Sequence, residues 1–176
     1  MKKSLILFSI ILFTILNSCV TSYYYGGDSI SYSRLVKVEG KTKKQIYASL
    51  KEWIADNYIS PKTVMHDSDK DIGLITMRTS MYYLPIDRMH VFFEGTISFN
   101  IKIIIQDEKF IITLSHFKHK QLPYRYITTA DKYIESGPNA ERLNHDWVAM
   151  KLTLQDYSMQ LLNKLSRYDY SKFENW

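Results

Sequence analysis

Cysteine is almost absent from this chain, because Cys19 is the only one among its 176 residues. A chain with a single cysteine cannot close an internal disulfide, so its stability must come from packing. The side chains for such packing are present, since the sequence contains 14 Tyr, 8 Phe and 3 Trp. We therefore predict that most of the aromatic rings lie in a core and on a sheet.

Motifs that mark common enzyme classes are absent as well. The chain has no H-E-x-x-H zinc motif and no G-x-S-x-G nucleophile elbow. The stretch Gly26-Gly27-Asp28-Ser29 lacks the strand, the lysine and the helix that a phosphate-binding loop requires. We therefore expect no catalytic residues, no metal and no cofactor.

Two weaker metal-binding patterns also lack the residues or the side-chain directions that a metal site requires. The run Asp67-Ser68-Asp69-Lys70-Asp71 starts like a calcium loop, but Ile72 and Arg78 occupy the positions that need glycine and a bidentate glutamate. Because aspartate favours turns, this run is interpreted as a strand-joining turn. On a strand, His116 and His119 would face opposite sides and could not share one metal.

A hydrophobic leader opens the chain. Lys2 and Lys3 precede an apolar run over residues 5–16, and Leu16-Asn17-Ser18-Cys19 follows. At about 1.5 Å per residue the run spans roughly 18 Å, well short of the ~30 Å core of a bilayer. The ending resembles the lipobox of bacterial lipoproteins, which implies that Cys19 is acylated and becomes the new N-terminus. We expect a lipid-anchored protein of the bacterial cell envelope, at the outer membrane, that meets the membrane through its acyl chains.

Cleavage before Cys19 would leave 158 residues, which suits one domain with a substantial core. The leader takes away Lys2 and Lys3 and no acid, so the formal charge falls from +5 to +3. This mild excess does not indicate nucleic-acid binding. The predicted organisation is a signal peptide over 1–18, a tether over 19–34, one domain over 35–168 and a tail over 169–176.

Hydrophobic periodicity predicts an α+β domain. The run Thr42-Lys43-Lys44-Gln45 has the form of a capping box, and an apolar stripe at helical spacing follows it. Residues 91–105 alternate strictly between apolar and mostly polar, as in a strand with one buried face. In chain order, the predicted elements are a strand at 35–38, a helix ending before Pro61, strands at 62–66, 72–81, 91–105 and 110–117, an irregular segment at 118–138 and a helix at 140–166. The order β-α-β-β-β-β-α predicts an antiparallel sheet with two helices packed on one face.

Several of these pieces resemble a family of small bacterial lipoproteins that carry an uncharacterised domain with a TBP-like fold. The matching segments are Val36–Val38, Ile46–Trp53, Asp69–Ile75, Phe99–Ile103 and Lys109–Thr113. The resemblance covers about residues 35–118, and the last helix would complete the fold. The family more often has a glycine where this chain has Glu108. It has no established activity, so the resemblance implies a fold and assigns no functional residue.

One segment interleaves basic and aromatic residues, from Lys118 to Tyr126. Its candidate partner-binding residues are Lys120, Tyr124, Arg125 and Tyr126. Bases of single-stranded nucleic acid stack on aromatic rings beside such cations. An exported protein would not meet nucleic acid, so we do not expect this partner. The open alternatives are an anionic lipid surface, a glycan stacked on Tyr124 or Tyr126, and no ligand.

The sequence therefore favours a non-catalytic binding or assembly module whose partner is an envelope protein or a glycan. One alternative is a hydrolase of cell-wall or other glycan polymers that uses the acidic residues near the last helix. Those residues are Asp131, Glu135, Glu141 and Asp146. The other alternative is a passive structural protein.

Overall fold

A computed structural model describes residues 22–23, 27–85, 91–122, 126–137 and 139–171. The elements are β1 (Ser22–Tyr23), β2 (Tyr32–Lys37), α1 (Lys43–Asn57), α2 (Pro61–Val64), β3 (Met65–Asp69), β4 (Leu74–Tyr83), β5 (Gly95–Gln106), β6 (Lys109–His119), β7 (Ile134–Ser136) and α3 (Ala140–Ser166). Five antiparallel strands form one sheet in the order β2-β6-β5-β4-β3, and β1 pairs with β7 in a separate two-stranded ribbon. The leader and Cys19 lie outside the described residues.

Helix α1 begins at the predicted capping box. The Thr42 hydroxyl accepts from the Gln45 backbone N–H at 3.4 Å, and the Gln45 side chain accepts from the Thr42 N–H at 2.9 Å. These bonds satisfy N–H groups that a helix start leaves without a partner. The apolar stripe of the helix is buried, namely Ile46, Leu50, Trp53 and Ile54. The sequence prediction of this helix is therefore confirmed.

The alternating prediction for the central strand is also confirmed over most of its length. Along β5 the odd-numbered residues are buried and the even-numbered residues are partly or fully exposed. The strand begins at Gly95, however, because Val91–Phe93 form one turn of 3₁₀ helix. That turn buries Phe93 completely, so an apolar residue stands at a position where the strand pattern also expects one.

The two long helices bury their apolar faces in one core with the odd-numbered residues of β5. Helix α3 has the predicted bounds, and its buried residues include Trp147, Met150, Leu154 and Leu165. The α+β antiparallel architecture with helices on one face is therefore confirmed. In the described part of the chain, no helix is both long enough and apolar enough to cross a membrane.

Two boundaries differ from prediction near the second strand. The strand predicted at 62–66 starts only at Met65, because Pro61 opens the short helix α2, which continues through residues 62–64. Proline is favoured at the first position of a helix, where it has no bond to lose. The Thr63 and Val64 N–H groups donate to the Ser60 carbonyl instead of to a neighbouring strand.

The folded domain begins earlier than the predicted end of the tether at residue 34. Strand β2 starts at Tyr32 and pairs with β6 from its first residue, because Leu114 offers a partner there. Ile30 is buried, and Ser29 bridges to Thr128. The predicted tether over 19–34 is therefore too long, since packing against β6 and the following segment holds residues 29–34.

The folded domain also includes more of the chain after β6 and after α3 than the sequence predicts. The segment predicted to be irregular at 118–138 contains the end of β6 and strand β7. Tyr170, which falls in the tail predicted over 169–176, is buried and donates from its hydroxyl to the Leu165 carbonyl at 2.7 Å. Burial of the ring raises the pKa of Tyr170. The Tyr170 ring is thus part of the core.

Candidate functional site

The candidate site lies on the face of the sheet opposite the two long helices, α1 and α3. This face carries the even-numbered residues of β4 and β5, because successive side chains of a strand point to opposite sides. Two residues of the short helix α2 also line the site, namely Thr63 and Val64. Arg78 and Ser80 of β4 stand directly opposite Asn100 and Ser98 of β5. Polar side chains from two neighbouring strands therefore share one surface.

An open groove of about 740 Å³ crosses this face. Its polar lining includes Arg78, Asn100, His116, Lys118, Lys120 and Tyr126. A neighbouring cavity of about 240 Å³ shares Arg78, Asn100 and His116 and adds His66 and Lys102. Basic side chains from β3, β4, β5 and β6 thus converge on one region.

A bulge in β6 shapes the wall of the groove. Ser98 pairs with Lys118 and Asn100 pairs with Ser115, so β6 has one more residue than β5 at this point. The additional residue lies around His116, whose φ of 57° is in the left-handed region. Histidine is among the few non-glycine residues enriched in this conformation, and bulges often redirect a side chain. The Ser115 hydroxyl contacts Nδ1 of His116 at 2.9 Å.

The cations of the groove have no acidic partner among the described residues. Arg78 donates from Nε to the Asn100 side-chain oxygen at 3.2 Å, which orients the guanidinium. The Lys118 ammonium lies 5.2 Å from the centre of the Tyr126 ring. Among the described residues no carboxylate lines the groove, and none forms an ion pair with Arg78, Lys118 or Lys120. The described part of the chain therefore leaves the positive charge of the groove without an acidic partner.

The groove contains part of the predicted partner-binding set. Lys120 and Tyr126 both line it, whereas Tyr124, Arg125 and the predicted lipidation site Cys19 lie outside the described residues. Sequence reasoning missed Arg78, Asn100 and His116 as site residues. The alternation of β4 and β5 could have placed Arg78 and Asn100 on the solvent-exposed face of the sheet. Nothing in the sequence predicts the bulge at His116.

The two close histidines lie on opposite faces, as their spacing predicts. His116 is exposed at the groove, whereas His119 is fully buried on the helix side. Burial lowers the pKa of His119, although a hydrogen bond to the Phe93 carbonyl acts in the other direction. His119 is therefore a core residue and does not line the groove.

The aspartate-rich run forms only part of the turn that the sequence predicts, because residues 67–69 lie in β3 and the turn begins at Lys70. One oxygen of Asp69 accepts from the backbone N–H groups of Asp71 and Ile72 at 2.8 and 3.0 Å. This Asx-type bonding closes the turn between β3 and β4. Over the described ranges, no three His, Cys, Asp or Glu side chains are grouped so that they could hold a metal ion.

Asp131, Glu141 and Asp146, three of the acidic residues proposed for a hydrolase, do not line the groove or its neighbouring cavity. Asp131 and Glu141 are exposed, whereas Asp146 is 5% exposed, and the Glu135 side chain lies outside what the structure describes. Burial and, second, the charge of Asp146 raise the pKa of Tyr83.

The comparisons with known proteins agree with this architecture. The chain is similar to a TBP-like protein from Parabacteroides distasonis, with a TM-score of 0.52 and 16% identity over 80% of this chain and 95% of that one. It is also similar to a DUF4468 family protein from Bacteroides ovatus, with a TM-score of 0.56 and 12% identity over 89% of this chain and 97% of that one. At these identities the likeness shows the fold alone. No curated protein matches the chain.

A family model matches residues 32–120, from the first residue of β2 to just beyond the end of β6. The matched residues include the groove side chains of β4, β5 and β6 and make up just over half of the chain. The protein therefore belongs to the family of the domain of unknown function DUF4468, which has a TBP-like fold.

Proposed function

We propose that this protein is a lipid-anchored lipoprotein of the bacterial outer membrane whose domain binds an envelope partner through the groove. In this proposal the domain has no catalytic role. The observation that carries it is the convergence of Arg78, Lys118 and Lys120 on one groove that no described carboxylate lines.

Like charges gathered on one surface repel each other and lower the stability of the fold. Cations that lie close together without acidic partners therefore destabilise the fold in the unbound state. A bound anion offsets that repulsion through hydrogen bonds assisted by charge. Uncompensated cations in a groove therefore favour a binding role over a purely structural one.

The anchor is proposed from the leader, and the fold adds a consequence for it. Strand β1 starts at Ser22, three residues after Cys19, and pairs with β7. Three residues reach at most about 10 Å. An acylated Cys19 would therefore hold the β1–β7 ribbon close to the membrane surface, with little freedom for the domain to extend away from it.

Lipidation is tested by replacing the acceptor thiol. Cys19→Ser should abolish incorporation of labelled palmitate and leave an uncleaved precursor, because only the cysteine sulfur accepts the acyl chain. A Ser18→Ala variant retains the thiol and serves as the control. Normal labelling and processing of Cys19→Ser would refute the anchor.

The binding role is tested by photo-crosslinking in intact cells. A photoreactive amino acid at Tyr126, which is 53% exposed, should capture a partner from the envelope. The same amino acid at Leu152, which is 59% exposed on α3, is the matched control. Capture at Tyr126 should weaken when Arg78→Gln is added. Equal capture at both positions, or none at Tyr126, would overturn the proposal.

A further inference from the structure

We propose that the ligand of the groove is an acidic sugar, a glycan unit that bears a carboxylate or a phosphate. This inference rests on the proposed binding function and specifies its chemistry. The first reason is the donor geometry of Arg78. Its Nε is held by Asn100, and no further hydrogen bond from its terminal nitrogens is formed within the described chain. An oriented guanidinium fork matches the two oxygens of a carboxylate or phosphate.

The second reason is the ring at the groove wall. Tyr126 exposes about half of its surface, and Lys118 stands over the ring at 5.2 Å. An exposed ring beside cations offers an apolar plane and positive charge together. A sugar that bears an anionic group has the complementary pair of features, namely a C–H face and a negative charge.

The third reason is the supply of neutral polar groups. Asn100 uses its oxygen for Arg78, which leaves its amide N–H₂ as a donor, and Ser80 adds a hydroxyl to the lining. Such groups pair with the hydroxyls of a sugar. A lipid tail would leave these polar groups without partners, and burying them that way is unfavourable.

Size separates a sugar from a simple anion. A volume of about 740 Å³ lies within the range of roughly 300–1,000 Å³ that is typical of sites for small organic ligands. A lone phosphate would contact one cation cluster and leave most of the groove unfilled. A short acidic oligosaccharide can contact Arg78, the lysines and Tyr126 at the same time.

The test is calorimetric titration of the full chain, solubilised in detergent, with four probes at fixed ionic strength. The probes are tetragalacturonate, N-acetylglucosamine 1-phosphate, neutral chitotetraose and inorganic phosphate. At least one acidic sugar should bind ten-fold or more tightly than both chitotetraose and phosphate. The carboxylated and phosphorylated probes distinguish the two sources of the anionic group.

Variants then locate the site. Arg78→Gln and, separately, Lys120→Gln should each weaken the acidic sugar five-fold or more, and Tyr126→Ala should weaken it similarly. Lys109→Gln is the charge-matched control, because Lys109 is exposed at the opposite end of β6, about 30 Å from Lys118 and about 20 Å from Ser115 at the usual strand rise. All four side chains are exposed, so circular dichroism should show an unchanged fold.

The outcomes distinguish failure of the acidic-sugar ligand from failure of the proposed binding function. Equal binding of phosphate and acidic sugars, equal binding of chitotetraose and acidic sugars, or no binding of either acidic sugar overturns the sugar ligand. Crosslinking at Tyr126 that persists beside such a result leaves the binding function standing with another ligand. Absence of crosslinking at Tyr126 would refute the binding function itself.

Discussion

His119 donates from Nε2 to the carbonyl oxygen of Phe93 at 2.9 Å. Its other ring nitrogen, Nδ1, accepts from the backbone N–H of Gln121 at 3.2 Å. Because Nδ1 acts as an acceptor, the single proton of the neutral ring must lie on Nε2. One buried imidazole thus joins the end of β6 to the 3₁₀ turn before β5.

This arrangement predicts that stability depends on pH. Burial lowers the pKa of His119 from its ordinary value of about 6.5, so the folded state binds fewer protons than the unfolded state below that pH. The contribution of His119 is complete above about pH 6.5 and is lost as the pH falls toward the lower pKa of the folded state. Urea unfolding at pH 7.5 and pH 5.5 should show lower stability at pH 5.5.

The control for that prediction is His119→Gln, whose amide N–H₂ can still donate to the Phe93 carbonyl but does not titrate. Its loss of stability between the two pH values should be smaller than that of the wild-type chain. The exposed residues His66, His116 and His145 are present in both proteins, so the difference isolates His119. Identical pH dependence in the two proteins would contradict the assignment.

Two glycines provide a matched pair for separating backbone strain from steric overlap. Gly40 and Gly73 both have a φ of 72°, where an alanine is strained by about 1–2 kcal/mol. A methyl group at Gly40 would meet no atom within 4 Å, whereas at Gly73 it would overlap the Ile105 carbonyl oxygen. Gly73 also accepts from the Ile105 N–H at 2.7 Å, so relief of the overlap would disturb β5.

We therefore expect Gly73→Ala to lower the free energy of unfolding by at least twice as much as Gly40→Ala. Chemical denaturation of both variants measures the difference. Equal losses would mean that the turn before β4 moves freely and that strain alone sets the effect.

Asn144 on α3 is predicted to hold the β7 segment in place. Its side-chain oxygen accepts from the Tyr133 and Ile134 N–H groups at 2.7 and 3.0 Å, and its amide donates to the Ile134 carbonyl at 3.0 Å. Asn144→Ala removes all three bonds and should cost about 1–3 kcal/mol. Hydrogen exchange should accelerate at Tyr133 and Ile134.

The control is Asn163→Ala on the same helix, because Asn163 is exposed and its side chain accepts from the exposed end of Arg34. An exposed substitution of this kind should change stability by no more than about 0.5 kcal/mol. If the two variants are equally stable, the bonds of Asn144 do not hold the segment.

The sequence alone determined the architecture, because it rests on local signals. The capping box at Thr42, the alternation through β5 and the apolar stripe of α3 each depend on neighbours a few residues apart. Their periods of 3.6 and 2 residues follow from backbone geometry, so they can be recognised without a fold. The same signals misplaced the start of β5, since a 3₁₀ turn also buries Phe93.

The groove was decided only by the tertiary structure. Arg78 and Lys118 are 40 positions apart in the sequence, and the register of β4, β5 and β6 brings them to one face. The bulge at His116 and the packing of residues 29–34 depend on partners more than ten residues away. Hydrogen bonds between distant strands fix these positions, and no local pattern encodes such pairings.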